Sequence, residues 1–153
     1  MKLRIKRKFF SDRVVDESGK IRWYTKRLDP VIQVYDAGGN PAARFYRKPW
    51  DKYKYFIELD GHNIDWPFAL VGVQLACKPC VKYHLVDLQR RIESKSNGFI
   101  MYLDDIEVMR IFSEWWSYHQ LDIADPRDEL LYVCIALAMT RIEAADHADR
   151  LNV

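Results

Sequence analysis

The sequence predicts a mainly β fold in which an antiparallel barrel surrounds a hydrophobic helix near the C-terminus. Three observations predict it. Short stretches that alternate apolar with polar residues recur as far as about residue 123, each flanked by turn-forming residues. Two Asp-x-x-Gly segments lie twenty residues apart, at Asp16 and Asp36. The apolar run Leu130 to Met139 follows, and a helix this uniformly apolar must be covered on every side.

Length and composition bound the class of protein. The chain has 153 residues, of which 49% are hydrophobic, and this favours one domain over residues 1–153 with a real core. No run reaches the roughly 18 apolar residues that a membrane-spanning helix requires, and the N-terminus lacks the apolar segment of a signal peptide. Three cysteines do not form a disulfide framework. We therefore expect a cytoplasmic protein without a transmembrane span.

The clearest strand covers Tyr53 to Leu59, where apolar and polar residues alternate with a period of two. Between Gly61 and Pro79 the period is broken, so the sequence does not predict the strand register there. Weaker alternation occurs at Leu3/Ile5, Ile21/Trp23, Ile32/Val34, Ala43/Phe45, Val81/Tyr83/Leu85, Ile106/Val108 and Leu121/Ile123. Many short strands of this kind are typical of a sandwich or barrel.

The Asp-x-x-Gly segments are interpreted as hairpin turns. Asp accepts hydrogen bonds from the backbone ahead of it, and Gly adopts the positive φ that a tight turn requires. A third copy without glycine is expected at Leu103-Asp104-Asp105. The spacing lacks the dense ligands of a calcium loop.

The helix is predicted over about residues 126–145. Asp125 is a good N-cap, Pro126 suits the first helical position, and Asp128 and Glu129 favour the positive end of the helix dipole. The apolar run is only about 15 Å long as a helix, which matches the height of a small barrel.

The order of these features resembles the LURP-one-related branch of the tubby C-terminal-like superfamily, which includes the phospholipid scramblases. The resemblance covers Ile5 to Phe10, both Asp-x-x-Gly hairpins, Tyr53 to Gly61 and Asp125 to Ile142. It implies a closed barrel of about twelve antiparallel strands around the C-terminal helix. It also implies a non-enzymatic protein without a cofactor that binds anionic phospholipid or phosphoinositide headgroups through basic residues.

Charge is distributed unevenly along the chain. Residues 1–54 contain 15 Lys or Arg against 6 Asp or Glu, whereas the remainder contains 9 against 16. Tyr46, Trp50 and Tyr53 interleave with the basic residues, a mixture suited to a membrane interface. The candidate lipid-binding residues are Lys2, Arg4, Lys6, Lys8, Arg44, Arg47, Lys48, Lys52 and Lys54. The alternatives are a solvated strand exterior and, less favoured, a surface that stacks nucleic-acid bases.

The sequence signals for redox or metal-binding chemistry are weaker. Cys77 and Cys80 have the redox Cys-x-x-Cys spacing without its usual strand-to-helix context, and a zinc site would need two ligands from His62, His84 or His119. Cys134 is expected in the core. The segment Trp115 to His119 is expected to pack in the core or at the rim. The carboxylates near the helix start suit turns and caps better than a calcium site; they are Asp104, Asp105, Glu107, Asp122, Asp125 and Asp128.

Two functions therefore follow as hypotheses. The first is peripheral docking on anionic membrane lipid. The second is a protein-interaction or scaffold domain with an unidentified protein partner and no lipid ligand, in an oligomeric state that the sequence does not predict. A redox or metal-binding role for the Cys-x-x-Cys pair ranks below both.

Overall fold

The computed structural model describes residues 1–8, 11–48, 51–59, 68–74, 81–85, 90–95, 97–115 and 118–151. The prediction of a mainly β fold with a C-terminal helix is confirmed. The strands are β1 (Lys2–Lys8), β2 (Ser11–Asp16), β3 (Ile21–Leu28), β4 (Val31–Asp36), β5 (Pro41–Lys48), β6 (Asp51–Leu59), β7 (Phe68–Gln74), β8 (Val81–Leu85), β9 (Arg90–Lys95), β10 (Gly98–Leu103), β11 (Ile106–Trp115) and β12 (Tyr118–Ile123). The helix α1 (Glu129–Leu151) follows a short 3-10 turn (Pro126–Asp128).

Each strand pairs antiparallel with the next one along the chain, and β1 pairs with both β2 and β12. Leu3 lies opposite Asp16 on one side and opposite Leu121 on the other. The N-terminal amine donates a hydrogen bond of 2.7 Å to the carbonyl of Ile123. The first and last strands of the sheet are therefore hydrogen-bonded neighbours.

The Asp-x-x-Gly segments form the β2–β3 and β4–β5 turns. Asp16 Oδ1 accepts the backbone N–H groups of Ser18 and Lys20 at 2.9 and 3.0 Å, and the Asp36 carboxylate does the same for Gly38 and Asn40. The hydrogen bond from the Ser18 hydroxyl, together with those from the backbone, lowers the pKa of Asp16, and the hydrogen bonds from Asn40 and Gly38 lower the pKa of Asp36. Gly19 and Gly39 have φ of +85° and +86°.

The third copy of the turn connects β10 to β11. Asp104 and Asp105 adopt φ of 50° and 65°. Aspartate tolerates this left-handed region better than most residues, so the turn forms without glycine.

The helix begins as the sequence indicates. Asp125 Oδ1 accepts the backbone N–H of Arg127 at 3.0 Å, and Pro126 occupies the first turn. Glu129 accepts two hydrogen bonds from Arg22 of β3, at 2.6 and 2.8 Å, which tie the start of α1 to the sheet. The helix continues to Leu151, six residues past the predicted end.

Every residue from Leu131 to Thr140 is buried. These residues share one hydrophobic core with inward side chains of β1, β2, β4, β5, β6, β9, β10, β11 and β12. The helix is therefore covered from many directions, as its uniform apolarity requires. Within the described ranges, no helix combines the length and apolarity needed to cross a bilayer.

Part of the segment with unpredicted register is described. β7 pairs with β6, where Ala69 lies opposite Phe56, and with β8, where Leu70 lies opposite Leu85. Residues 60–67 and 75–80 lie outside the described residues, and with them His62 and the Cys77 and Cys80 pair.

Candidate functional site

The four basic residues predicted on the first strand do share one face. Lys2, Arg4, Lys6 and Lys8 are exposed, and the residues between them, Leu3 and Ile5, are buried in the core. The period of two of a β-strand produces this separation directly. This face, which we call the outer wall, is the face of the sheet opposite the one that covers α1.

Two further basic residues extend this face. Arg13 of β2 lies directly opposite Lys6, and its side chain is exposed. Lys26 of β3 is exposed two residues along from Tyr24, which is paired with Arg13. We call the six residues the basic strip; it consists of Lys2, Arg4, Lys6, Lys8, Arg13 and Lys26.

Arg13 and Lys26 are not among the binding residues predicted from the sequence, although the alternation of the two strands contains a usable signal. Val14 is buried and Arg13 alternates with it, while Lys26 follows buried Thr25. Alternation about these two buried positions places both cations on the outer wall.

Within the part of the chain that the structure describes, no member of the basic strip forms an ion pair. Other surface arginines form ion pairs. Arg91 contacts Glu93 and Asp105, and Arg110 contacts Glu107. The strip is therefore a band of positive charge without ion pairs, with Asp122 opposite Lys2 at one end. It lies next to a pair of aromatic rings at Tyr24 and Tyr35 whose centroids are 5.2 Å apart.

The second predicted cluster behaves differently. Arg44 of β5 lies on the outer wall, where it pairs with Glu58 of β6. Tyr46 donates a hydrogen bond of 3.2 Å to the same carboxylate. Arg47 and Lys48 lie on β5, and Lys52 and Lys54 on β6, but their side chains fall outside the described residues, as does that of Tyr53; Trp50 falls outside entirely.

The structure does not bring the two clusters together. β1 and β5 are separated by β2, β3 and β4, which is about 19 Å along the wall at the usual strand spacing. Only Arg44 of the second cluster has a described side chain, and its charge is compensated by Glu58.

A buried polar cluster, which the sequence analysis did not predict, lies inside the sheet. The Asp12 side chain is fully buried, and its carboxylate accepts hydrogen bonds from Arg7 at 2.9 Å and from Arg141 of α1 at 3.0 Å. Arg7 also donates to the Thr140 hydroxyl at 2.8 Å. The Asp12 backbone N–H donates to the Thr25 hydroxyl at 2.9 Å. The cluster therefore links β1, β2, β3 and α1.

His119 of β12 is buried beside this cluster, with 4% of its surface exposed. Its Nδ1 lies 2.9 Å from the Ser113 hydroxyl, and its Nε2 is buried with no hydrogen-bond partner among the residues that the structure describes. Desolvation by burial, with the positive charge of Arg7, lowers the pKa of His119 to about 4, and the charge of Asp12 opposes this only in part. The imidazole is therefore neutral at physiological pH.

Cys134, Asp125 and Asp122, which the sequence also singled out, lie in the core, at the helix start and near the N-terminus. Burial raises the pKa of the Cys134 thiol, which lies in the core as expected. Asp125 caps the helix start, and its hydrogen bonds with Arg127 lower its pKa to about 2. Asp122 lies 3.8 Å from the N-terminal amine. The side chains of Trp115 and His84 lie outside the described residues, and Trp116 lies outside entirely.

Comparison with known proteins identifies a related fold. A protein from Arabidopsis thaliana, solved by X-ray crystallography, superposes on this chain with a TM-score of 0.63. It covers 95% of this chain and 90% of its own, and the two sequences are 13% identical. No family model and no curated protein matches the sequence. The chain is therefore similar in fold to the Arabidopsis protein over nearly its whole length.

Proposed function

We propose that this protein is a non-enzymatic module that docks on anionic phospholipid, including phosphoinositide, at the surface of a membrane. The observation that carries the proposal is the basic strip, whose members are exposed and have no ion pair among the described residues. Each basic residue held near an anionic membrane contributes about 1 kcal/mol of attraction. Uncompensated cations that share one wall can act on the same membrane surface.

The proposal includes the architecture that the family resemblance implies, a closed barrel of about twelve strands in the LURP-one-related and tubby-like style. Its support is the pairing of β1 with β12 and the burial of α1 by strands from many parts of the chain. In such a barrel the interior is occupied by the helix, so ligands meet the outer wall. A convex wall suits a broad electrostatic contact with a membrane better than an enclosed headgroup pocket. We place the protein in the cytoplasm, attached peripherally to the membrane.

Vesicle flotation tests the proposal. We expect wild-type protein to float with vesicles that contain phosphatidylcholine and phosphatidylserine, and not to bind vesicles of phosphatidylcholine alone. The bound protein should dissociate as the salt concentration is raised, because exposed charges are screened over about 8 Å at 0.15 M ionic strength. Adding a phosphoinositide to the vesicles distinguishes a headgroup preference from a response to charge.

A matched pair of variants locates the contact. Lys6→Glu and Lys20→Glu change the net charge equally, and both lysines are exposed without an ion pair in the described residues. Lys6 belongs to the basic strip and Lys20 lies in the β2–β3 turn. We expect Lys6→Glu to weaken binding by about thirtyfold, because removing the positive charge and introducing the negative one each cost about 1 kcal/mol of binding free energy. We expect Lys20→Glu to change binding little. Binding that ignores lipid charge and salt would contradict the proposal.

A further inference from the structure

An apolar row crosses the outer wall next to the basic strip. Leu28 of β3 lies opposite Val31 of β4, Val31 lies opposite Tyr46 of β5, and Tyr46 lies opposite Phe56 of β6. Among their inward neighbours, Phe45 and Ile57 belong to the core and Ile32 packs against it. We call Leu28, Val31, Tyr46 and Phe56 the apolar row.

The row is accessible. Leu28 is 54% exposed, and Val31, Tyr46 and Phe56 are partly exposed. The rings of Tyr46 and Phe56 stack with centroids 5.4 Å apart. Contiguous apolar residues on a surface mark an interaction site more often than scattered ones do. Tyr46 adds a polar tip that hydrogen-bonds to Glu58, the combination of ring and hydroxyl that suits a membrane interface.

Positive charge borders the row. Two residues back along β3 from Leu28 is Lys26, a member of the basic strip. Lys8 lies two strand spacings from Lys26, about 10 Å away across β2. An apolar row beside Lys8 and Lys26, which form no ion pair among the described residues, matches a bilayer whose headgroups are anionic and whose interior is apolar.

A second exposed apolar residue provides the contrast. Ile106 is 69% exposed, more than Leu28, but it follows Asp104 and Asp105 and precedes Glu107. Ile106 lies at the end of the sheet where β1 begins, and Leu28 at the end where β1 finishes. Asp105 and Glu107 beside Ile106 are paired with Arg91 and Arg110, so among the described residues Ile106 lacks the neighbouring uncompensated cations that Leu28 has in Lys26 and Lys8.

We infer that the apolar row enters the interfacial region of an anionic bilayer, with Leu28 the deepest residue, while the basic strip holds the headgroups beside it. This inference rests on the proposed function and adds to it: binding requires apolar insertion at one defined place as well as charge.

The test compares Leu28→Ser with Ile106→Ser. Each variant replaces one exposed aliphatic side chain with the same small polar one, and thermal unfolding checks that both remain folded. Binding is measured by sedimentation with sucrose-loaded vesicles of phosphatidylcholine and phosphatidylserine. We expect Leu28→Ser to weaken binding about tenfold, since about half of a leucine side chain is transferred from water, and Ile106→Ser to leave it unchanged.

The outcomes separate this inference from the proposed function. If Leu28→Ser binds like wild type while Lys6→Glu is weak, docking is electrostatic alone and the insertion is wrong, but the proposed function stands. If wild-type protein binds no vesicles, both fail. If both serine variants weaken binding equally, insertion at a defined place is refuted. Light scattering also measures the oligomeric state. If wild-type protein is oligomeric and the Leu28→Ser variant is monomeric, the row forms contacts between copies of this chain, and the inference is overturned.

Discussion

At the scale of single residues, the buried polar groups determine how the protein responds to pH. His119 has a pKa of about 4 in the folded protein because burial disfavours its charged form. In the unfolded chain the imidazole has a pKa near its ordinary value of 6.5. Between these two values the unfolded state binds a proton that the folded state does not bind, so stability is lost as the pH falls through this window.

His119→Gln tests this linkage. Glutamine preserves a side chain that can hydrogen-bond to Ser113 and removes the titration. We expect wild-type protein to lose about 2 kcal/mol more unfolding free energy than the variant between pH 7 and pH 5, as measured by urea denaturation. Equal losses in the two proteins would show that His119 is accessible to protons in the folded state.

Asp12 tests the buried ion cluster. Asp12→Ala leaves Arg7 and Arg141 without the carboxylate that both contact, and breaking a buried ion pair in this way costs about 3–5 kcal/mol. The matched control is Asp29→Ala, because Asp29 pairs with Arg27 at the surface, and such pairs contribute about 1 kcal/mol or less. Similar losses of unfolding free energy in the two variants would contradict the role given to Asp12.

At the scale of elements, α1 is the structural axis of the sheet. Leu137 is fully buried within it. Leu137→Asp places a carboxylate without a partner in the core, which costs several kcal/mol, so we expect the variant to be unfolded by circular dichroism. Leu28→Asp makes the same substitution at an exposed site and should remain folded. A folded, soluble Leu137→Asp protein would refute the central position of the helix.

The β10–β11 pairing depends on a close approach at Gly98. A Cβ added at Gly98 would lie 1.9 Å from the carbonyl oxygen of Ile111, so the backbone would have to move. We expect Gly98→Ala to reduce the unfolding free energy by about 1–3 kcal/mol. Gly38→Ala is the control, since an added Cβ there meets only side-chain atoms of Asn40 and Asp36, at 3.3 and 3.4 Å. Chemical denaturation that ranks Gly38→Ala as the worse variant would contradict this account.

At the scale of the whole molecule, β1 joins the two ends of the sheet. Lys2–Lys8 pairs with β2 on one side and with β12, more than a hundred residues away, on the other. Strand β1 therefore has a hydrogen-bonded neighbour on each side, so it cannot open without disrupting β2 or β12. We expect the amides of β1 and β12 to show the same protection in native-state hydrogen exchange as those of the buried part of α1. Faster exchange in β1 than in α1 would show that the first strand opens by itself.

The surface distribution of positive charge is also a property of the whole molecule. The sequence places excess positive charge in residues 1–54, but the structure divides those residues among an outer strip, a buried cluster and surface ion pairs. Arg7 is turned inward to Asp12, Arg22 is paired with Glu129, and Arg44 with Glu58. Among the described side chains of residues 1–54, the cations without an ion pair lie mostly on β1.

The sequence by itself determined the features that depend on local chemistry. The cap at Asp125, the turns at Asp16 and Asp36, the exposed lysines of β1 and the buried run from Leu131 follow from hydrogen bonding, backbone freedom and periodicity among residues close in the chain. Each of these signals is contained within a few residues.

Only the tertiary structure decided which distant residues meet. Asp12 and Arg141 are 129 residues apart, and nothing near either one indicates the other. The same holds for Arg22 with Glu129 and for the apolar row, whose members come from four strands and line up only through sheet register. A register shift of one residue would turn Leu28 inward and Arg27 outward, so the position of the row was set by pairing across the sheet and not by local sequence.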